Sequence, residues 1–404
     1  MEIARILFTN YRQNAIIIAQ DNLYPPKGNT MKKSLGIYVH VPFCLKKCNY
    51  CDFCSFSGSV EKLGEAYVNE IIRRIRSFAQ SAQPYVVDTV YFGGGTPSLL
   101  PSRLTKKLID TINSTFHISD SAEITLECNP ATADYEKLFA LRNMGFSRLS
   151  IGLQSALDSE LALLGRAHTK EDFVNCFEDA RRAGFENISV DLMYGIPEQT
   201  LESLEHSAKF VTSLSPEHIS AYGLMIEEGT DLYHRRDTLN VADDDMQAQM
   251  YSLLCKLLEN DGYSKYEISN FARDGFESRH NLRYWQGLEY LGFGVAAHSY
   301  FEGKRFGNSR DIISFLDGKD ITEECQAISE NEKRREFVML GLRLVKGISK
   351  AEYFQRFGRQ LERDFHFERY AQAGFMTNND DSIAFTEKGF LVSNAILAEL
   401  IYGQ

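Results

Sequence analysis

A chain of 404 residues with 44% hydrophobic, 25% charged and 12% aromatic residues is long enough for one large domain and a smaller one, and too apolar to be disordered or fibrous. Its formal charge of -11 argues against non-specific attraction to nucleic acid or an anionic membrane, so an anionic ligand needs local arginines or backbone N–H groups. No apolar run of about 18 residues and no signal peptide is legible, which makes direct membrane insertion unexpected and a cytoplasmic location the expectation.

Residues 1–33 show no sustained period and contain Pro25, Pro26 and Gly28; they read as a weakly structured extension, with Met31 an equally good start. From Gly36 short apolar runs alternate with longer amphipathic ones. Strands are expected at 36–41, 86–92, 123–128, 148–154, 187–195 and 218–225, and the clearest helices at 61–82, 102–116, 170–184 and 200–214. Six repeats of strand then helix argue for a parallel sheet with crossover helices, either an open doubly wound sheet or an incomplete α/β barrel. From about Glu330 the pattern changes to helices, a short hairpin-like element and a last helix, which resembles a winged-helix-like module. Residues 332–404 carry eleven Lys/Arg against ten Asp/Glu, so the basic face of a DNA-binding version is absent. The module reads as a cover over the barrel mouth or a docking surface.

In both architectures ligands sit at the carboxyl ends of the strands. The unusual polar groups fall there: a cysteine cluster after the first strand, "GGGTP" after the second, Glu127, Gln154, and Asp191 near the end of the fifth. Of eight cysteines, Cys44, Cys48, Cys51 and Cys54 crowd one loop, and Cys128, Cys176, Cys255 and Cys325 stand singly. Structural zinc usually takes two separated ligand pairs, and no second pair follows; three close thiolates suit a [4Fe-4S] cluster with one iron left without a protein ligand. Zinc and incidental buried thiols stay open as alternatives. Cys54 either closes the cluster, making an electron carrier, or is a free thiol nearby. Gly93, Gly94 and Gly95 let a ligand approach the backbone, or merely form a turn. Glu127 and Asp191 interrupt apolar strands and need a ligand or an ion-pair partner, for which Arg166 is a candidate.

"CLKKCNYC" resembles the CxxxCxxC signature of radical S-adenosylmethionine (radical SAM) enzymes, including the aromatic Tyr50 before the third cysteine, and "GGGTP" is similar to that family's SAM-binding glycine motif. The resemblance implies an incomplete (β/α)6 radical SAM barrel in α/β class, a cluster on Cys44, Cys48 and Cys51, and SAM chelated to the open iron and cleaved to a 5'-deoxyadenosyl radical. It also implies SAM contacts at Tyr38, Gly94, Gly95, Thr96, Glu127, Gln154, Arg166 and Asp191, each within a matching local motif.

Within the superfamily, "YVHVPFC", "SIGLQS", "DLMYGIP" and the C-terminal region resemble the oxygen-independent coproporphyrinogen III oxidase group, from about Gly36 to the C-terminus. That group has an oxidase branch and a heme-chaperone branch. Three features favour the second: only 35 residues precede Gly36, where oxidases carry a substantial segment; Phe53 stands where oxidases have their fourth cysteine; and "HNLRYW" matches the HNxxYW element of the chaperone branch. The implied partners are heme, heme-acceptor proteins such as respiratory hemoproteins, and an electron donor of flavodoxin or ferredoxin type. His280 would be an axial heme ligand, with Tyr284 and Trp285 on the macrocycle; the alternative is that His280 caps a helix and Trp285 fills the core. His40 is expected behind the cluster, and His298 as a buried, satisfied histidine. The expected division is 1–33 extension, 34–270 barrel, 271–329 connecting segment with HNxxYW, and 330–404 winged-helix-like domain. Coproporphyrinogen III oxidase activity, by hydrogen abstraction from propionate side chains before loss of CO2, is the alternative function, and a closed-cluster electron carrier a third.

Overall fold

Six strands carry a period-two alternation that separates side chains facing helices from side chains facing one another across a concave surface. They are β1 (Lys33–Val41), β2 (Tyr85–Gly94), β3 (Ile118–Cys128), β4 (Arg148–Gln154), β5 (Ile188–Tyr194) and β6 (His218–Gly223). The computed structural model describes residues 33–403, so the expected N-terminal extension lies, but for Lys33, outside the described residues. Val39, Phe92, Leu126, Ile151, Val190 and Ile219 share one buried apolar core. Their chain neighbours are polar, aromatic or glycine, and several bond across the concave side: Tyr91 to Glu127, Ser150 to Asp191, Ser189 to His218. The lumen is therefore polar, unlike a barrel interior packed with branched apolar side chains.

All six strands are parallel and neighbour one another in chain order. No reversal of order occurs, so the crossovers stay on one face and make a barrel arc, not a doubly wound sheet. The connecting helices are α1 (Val60–Ser77), α2 (Ser102–Thr115), α3 (Tyr135–Asn143), α4 (Asp158–Leu163), α5 (Lys170–Arg182) and α6 (Leu201–Ser213). The short α3 and α4 are additions to the four helices expected. α5 begins at a capping box in which Thr169 and Asp172 satisfy each other's backbone N–H groups.

The arc stays open, since no ladder joins β1 to β6 among the described residues. Beyond β6 come α7 (Asp231–Arg235) and α8 (Asp244–Asn260), then β7 (Ser264–Lys265) and β8 (Asn270–Ala272), which extend that edge antiparallel. Helix α9 (Arg279–Trp285) follows. β9 (Tyr290–Phe293) then pairs parallel with β1, and β10 (His298–Phe301), β11 (Lys304–Asn308) and β12 (Thr322–Ala327) continue as an antiparallel meander. Much of the expected connecting segment is thus built into a twelve-stranded sheet.

After residue 328 the chain forms a second core around Val338, Leu342, Tyr353, Phe367 and Ile383. Its order is a helix (Glu330–Gly341), a short strand (Ile348–Ser349), three helices, a hairpin (Met376–Asn378 with Ser382–Phe385) and two last helices. Trp285, Tyr266, Leu340 and Leu344 form the apolar seam between this module and the barrel. No helix among the described residues is long and apolar enough to cross a membrane.

Candidate functional site

The loop from β1 to α1 is held at both ends. Phe43–Cys44 pairs with Phe56–Ser57 as a minimal parallel bridge, and the Gly58 N–H donates to the Cys44 carbonyl at 3.2 Å. Within it the Cys51 N–H closes a turn on the Cys48 carbonyl at 3.1 Å. Three thiols are presented at the ends of β1 and β2. Thr96, after the glycine turn, donates its hydroxyl to Cys44 Sγ at 3.5 Å, and Arg166 Nη1 donates to Cys48 Sγ at 3.6 Å. Burial, with the Cys48 and Cys44 thiols alongside, pushes the Cys51 thiol up to about 11. At Cys44 burial likewise pushes the thiol up, and the Thr96 hydroxyl works against it. Among the described residues no three His, Cys, Asp or Glu side chains converge as they would around one small ion. Three cysteine thiols on one loop are a donor set that an iron-sulfur cluster takes.

Cys54 is set apart from the three. Its side chain belongs to the barrel's apolar core, its thiol points to the Arg310 carbonyl at 3.9 Å, and its own carbonyl receives His40 Nε2 at 2.9 Å. Burial lowers His40 to about 4, so the ring is neutral near pH 7. With Nε2–H donating to a carbonyl, Nδ1 is the acceptor for the Tyr38 hydroxyl at 3.0 Å.

The SAM-contact positions carried over by resemblance lie towards the same rim, with Tyr38 lower on β1, level with Tyr91 of β2. Gly94 has φ of 114°, which turns its N–H onto Glu127 Oε2 at 3.0 Å, while the Tyr91 hydroxyl donates to Oε1 at 2.9 Å. The Gly95 N–H bonds the Val41 carbonyl at 2.8 Å, tying the turn to β1. Gln154, at φ of 76°, is a non-glycine residue held in the left-handed region, a strain that concentrates at functional turns. Glu127 and Asp191 are part-buried; desolvation raises the first to about 7, with Asp191 adding to it, and the second to about 6. Arg166 departs from the expected role: its Nη2 donates to the Gly152 carbonyl at 2.8 Å, and its other contacts are Cys48 and Tyr50. It braces the cysteine loop against β4, and no ion pair links it to either carboxylate among the described residues.

A buried carboxylate that is reluctant to ionise by itself ionises more readily beside a cation. Glu127→Gln should therefore weaken binding of SAM, which carries ammonium and sulfonium charge, about tenfold or more at pH 8. It should also flatten the loss of affinity expected of the native protein as pH falls through 7 towards 6. For the unliganded fold the sign is opposite: a raised carboxylate pKa means this group's contribution to stability falls as pH rises from 4.5 to about 7. SAM titrations and urea unfolding across that range check both.

α9 carries the HNxxYW element and closes the lumen at its lower end. Glu123 accepts the backbone N–H groups of Arg279 and His280 at 3.1 and 3.0 Å, and the buried Arg283 pairs with Asp88. His280 is buried, with Nδ1 on the Thr89 hydroxyl at 2.9 Å and Nε2 on the Tyr284 hydroxyl at 3.0 Å. Its ring stacks on Tyr91 at 5.1 Å and on Tyr38 at 6.5 Å, and meets Tyr284 edge-on at 5.2 Å. His280 and Tyr284 thus come together under the rim, whereas Trp285 packs into the seam with the C-terminal module. Burial and nearby arginines keep His280 neutral.

Sequence reasoning passed over Tyr91, Thr89, Glu123 and Arg148, which complete the lumen. Their signal was available: each sits two residues from another inward polar or glycine position on its strand.

A model of the radical SAM superfamily matches residues 38–211, and one of the HemN C-terminal domain matches residues 328–392. The heme chaperone HemW of Bacillus subtilis is 37% identical over 376 residues, which span 90% of this chain and 98% of that protein. HemW of Escherichia coli is 32% identical over 370 residues, 90% of this chain and 97% of that one. Among solved structures, coproporphyrinogen III oxidase (HemN) from Escherichia coli, a radical SAM enzyme, superposes with a TM-score of 0.81 at 21% identity, covering 93% of this chain and 92% of that one.

Proposed function

We infer a function from one premise: this chain belongs to the radical SAM superfamily and, within it, to the HemW family. We propose that it is a heme chaperone, working in the cytoplasm, that binds a [4Fe-4S] cluster, SAM and heme and delivers heme to acceptor hemoproteins such as respiratory ones. The observation that carries the reading is a three-cysteine loop, a glycine turn and two carboxylates gathered at one end of the barrel, in a chain that aligns with HemW proteins over nearly their whole length. Cys44, Cys48 and Cys51 would hold the cluster. Tyr38, Gly94, Gly95, Thr96, Glu127, Gln154, Arg166 and Asp191 would surround SAM. Together the two cofactors supply one-electron chemistry, with the electron coming from a flavodoxin- or ferredoxin-type donor. The chain's own part is to hold thiolates with Arg166 and Thr96, to offer carboxylates to a cationic ligand, and to keep the lumen below closed with α9.

His280 is our candidate for the heme iron, with Tyr284 beside it; Trp285, in the seam, would act by anchoring α9. Ligation requires Nε2 to exchange the Tyr284 hydroxyl for iron. The test is an anaerobic heme titration of the reconstituted protein, with product analysis on coproporphyrinogen III, SAM and reductant in parallel. Stoichiometric heme binding without decarboxylated product is expected. His280→Ala should weaken it about tenfold, about 1.4 kcal/mol, and Tyr284→Phe, which frees Nε2, should tighten it. An alanine variant with full affinity removes His280 from the site, and protoporphyrinogen formation without heme binding makes the protein an oxidase.

A further inference from the structure

One buried charge in the lumen has no part in the rim. Arg148 opens β4 and is 1% exposed, and its Nε and Nη2 are sealed from solvent with no acceptor. Strand register places it level with Thr125 of β3, which pairs with Tyr91 of β2 and, through it, Tyr38 of β1. The guanidinium therefore shares a rung with the rings that stack on His280. The Thr125 hydroxyl on that rung is sealed and without a partner as well.

A guanidinium stays charged in any protein and carries five donors, and native interiors leave few such groups unpaired. Water would satisfy its hydrogens but not its charge. Arg148 forms no ion pair among the described residues; Glu127 and Asp191 feel its field without reaching it. When a cationic ligand occupies those carboxylates they no longer offset Arg148, and the remaining lumen carboxylate, Glu123, is held by the Arg279 and His280 backbone N–H groups. The planar fork matches a carboxylate in two-point geometry.

We propose that Arg148 is a carboxylate-binding site inside the barrel, below the rim that holds the cysteines. Two sources have this chemistry: a propionate arm of a porphyrin, which rests on the heme reading above, and a free small carboxylate, which does not.

The full, cluster-reconstituted chain is titrated anaerobically with heme and with heme dimethyl ester, in which the propionates are uncharged. Its melting temperature is also measured in sodium acetate against sodium chloride at equal ionic strength. Native protein, Arg148→Gln and Arg148→Lys are compared. For a propionate, native protein binds heme at least about tenfold tighter than the ester, Arg148→Gln brings the ratio near one, and Arg148→Lys falls between. For a free carboxylate, heme and ester bind alike, yet acetate raises the melting temperature of the native protein and not of Arg148→Gln. If neither the heme-to-ester ratio nor the acetate response depends on Arg148, the proposal is overturned. Native protein that binds no heme removes the chaperone reading and leaves acetate to decide on Arg148. Should Arg148→Gln fail to fold, Arg148→Lys carries both comparisons, because it keeps the charge and loses the fork.

Discussion

Replacing any one of Cys44, Cys48 or Cys51 by alanine should abolish the [4Fe-4S] cluster, whereas Cys54→Ser should keep it. Each of the three thiols is the sole ligand its position offers, and two thiolates are too few to hold a cubane against loss to solvent. Cys54 differs in surroundings: it is in the apolar core, with its thiol on the Arg310 carbonyl and its carbonyl on His40. A serine there places a slightly smaller hydroxyl near the same acceptor, at a cost of about 1–2 kcal/mol in folding stability. Iron and sulfide content with the visible absorbance after anaerobic reconstitution reads cluster retention, and urea unfolding reads the stability change. Loss of the cluster in Cys54→Ser would make Cys54 a fourth ligand and the protein a closed-cluster electron carrier. The same comparison distinguishes open from closed chemistry without needing turnover.

How the site was legible in the sequence follows from which physical constraint each residue answers. The cysteine spacing and the glycine turn are local, so they were readable without neighbours. Glu127 and Asp191 stood out because a carboxylate inside an apolar strand needs a reason. The rest of the lumen was hidden because Thr89, Ser150 and Ser189 are unremarkable strand residues, and only six strands side by side turn them into one surface. Arg166 meets Cys48, Tyr50 and the Gly152 carbonyl, not the carboxylates expected as its partners. Two residues at a distance in sequence can oppose in charge and still not meet, and here the Gly152 carbonyl is the nearer acceptor. His280 was readable only as one half of an alternative, because burial with both nitrogens bonded follows from α9 entering the lumen.

For the fold, the six long strands were read within a few residues of their ends, since apolar runs between amphipathic helices survive any packing detail. Strand order decided between the two architectures, and order is a property of the assembled sheet. The meander from β9 to β12 was missed for a different reason. β9 is four residues in a glycine-rich stretch, and β12 has every residue exposed, so neither carries a buried alternation. Their pairing comes from β1's open edge, a template that exists once the barrel arc has formed.

Gly94→Ala should be among the most damaging single substitutions in the chain, and its damage should divide into two separable parts. The first is backbone: φ of 114° lies where an L side chain is strained, worth about 1–3 kcal/mol. The second is contact: a Cβ on residue 94 would stand 2.5 Å from both Cε1 and Nδ1 of His40, closer than carbon atoms tolerate. His40 has little freedom to yield, because its two nitrogens hold the Tyr38 hydroxyl and the Cys54 carbonyl. Displacing the ring therefore loosens the cysteine loop and β1 together, and turning the 94 N–H aside releases Glu127. The single variant should lose about 3 kcal/mol or more of stability and most of its SAM affinity, read by urea unfolding and SAM titration. His40→Ala removes the obstacle but leaves the strained φ. The double variant Gly94→Ala/His40→Ala should accordingly be more stable than the sum of the two single losses, by about 1–2 kcal/mol. Strict additivity would mean that the imidazole is not what the new methyl meets, and that strain in the turn alone makes glycine necessary there.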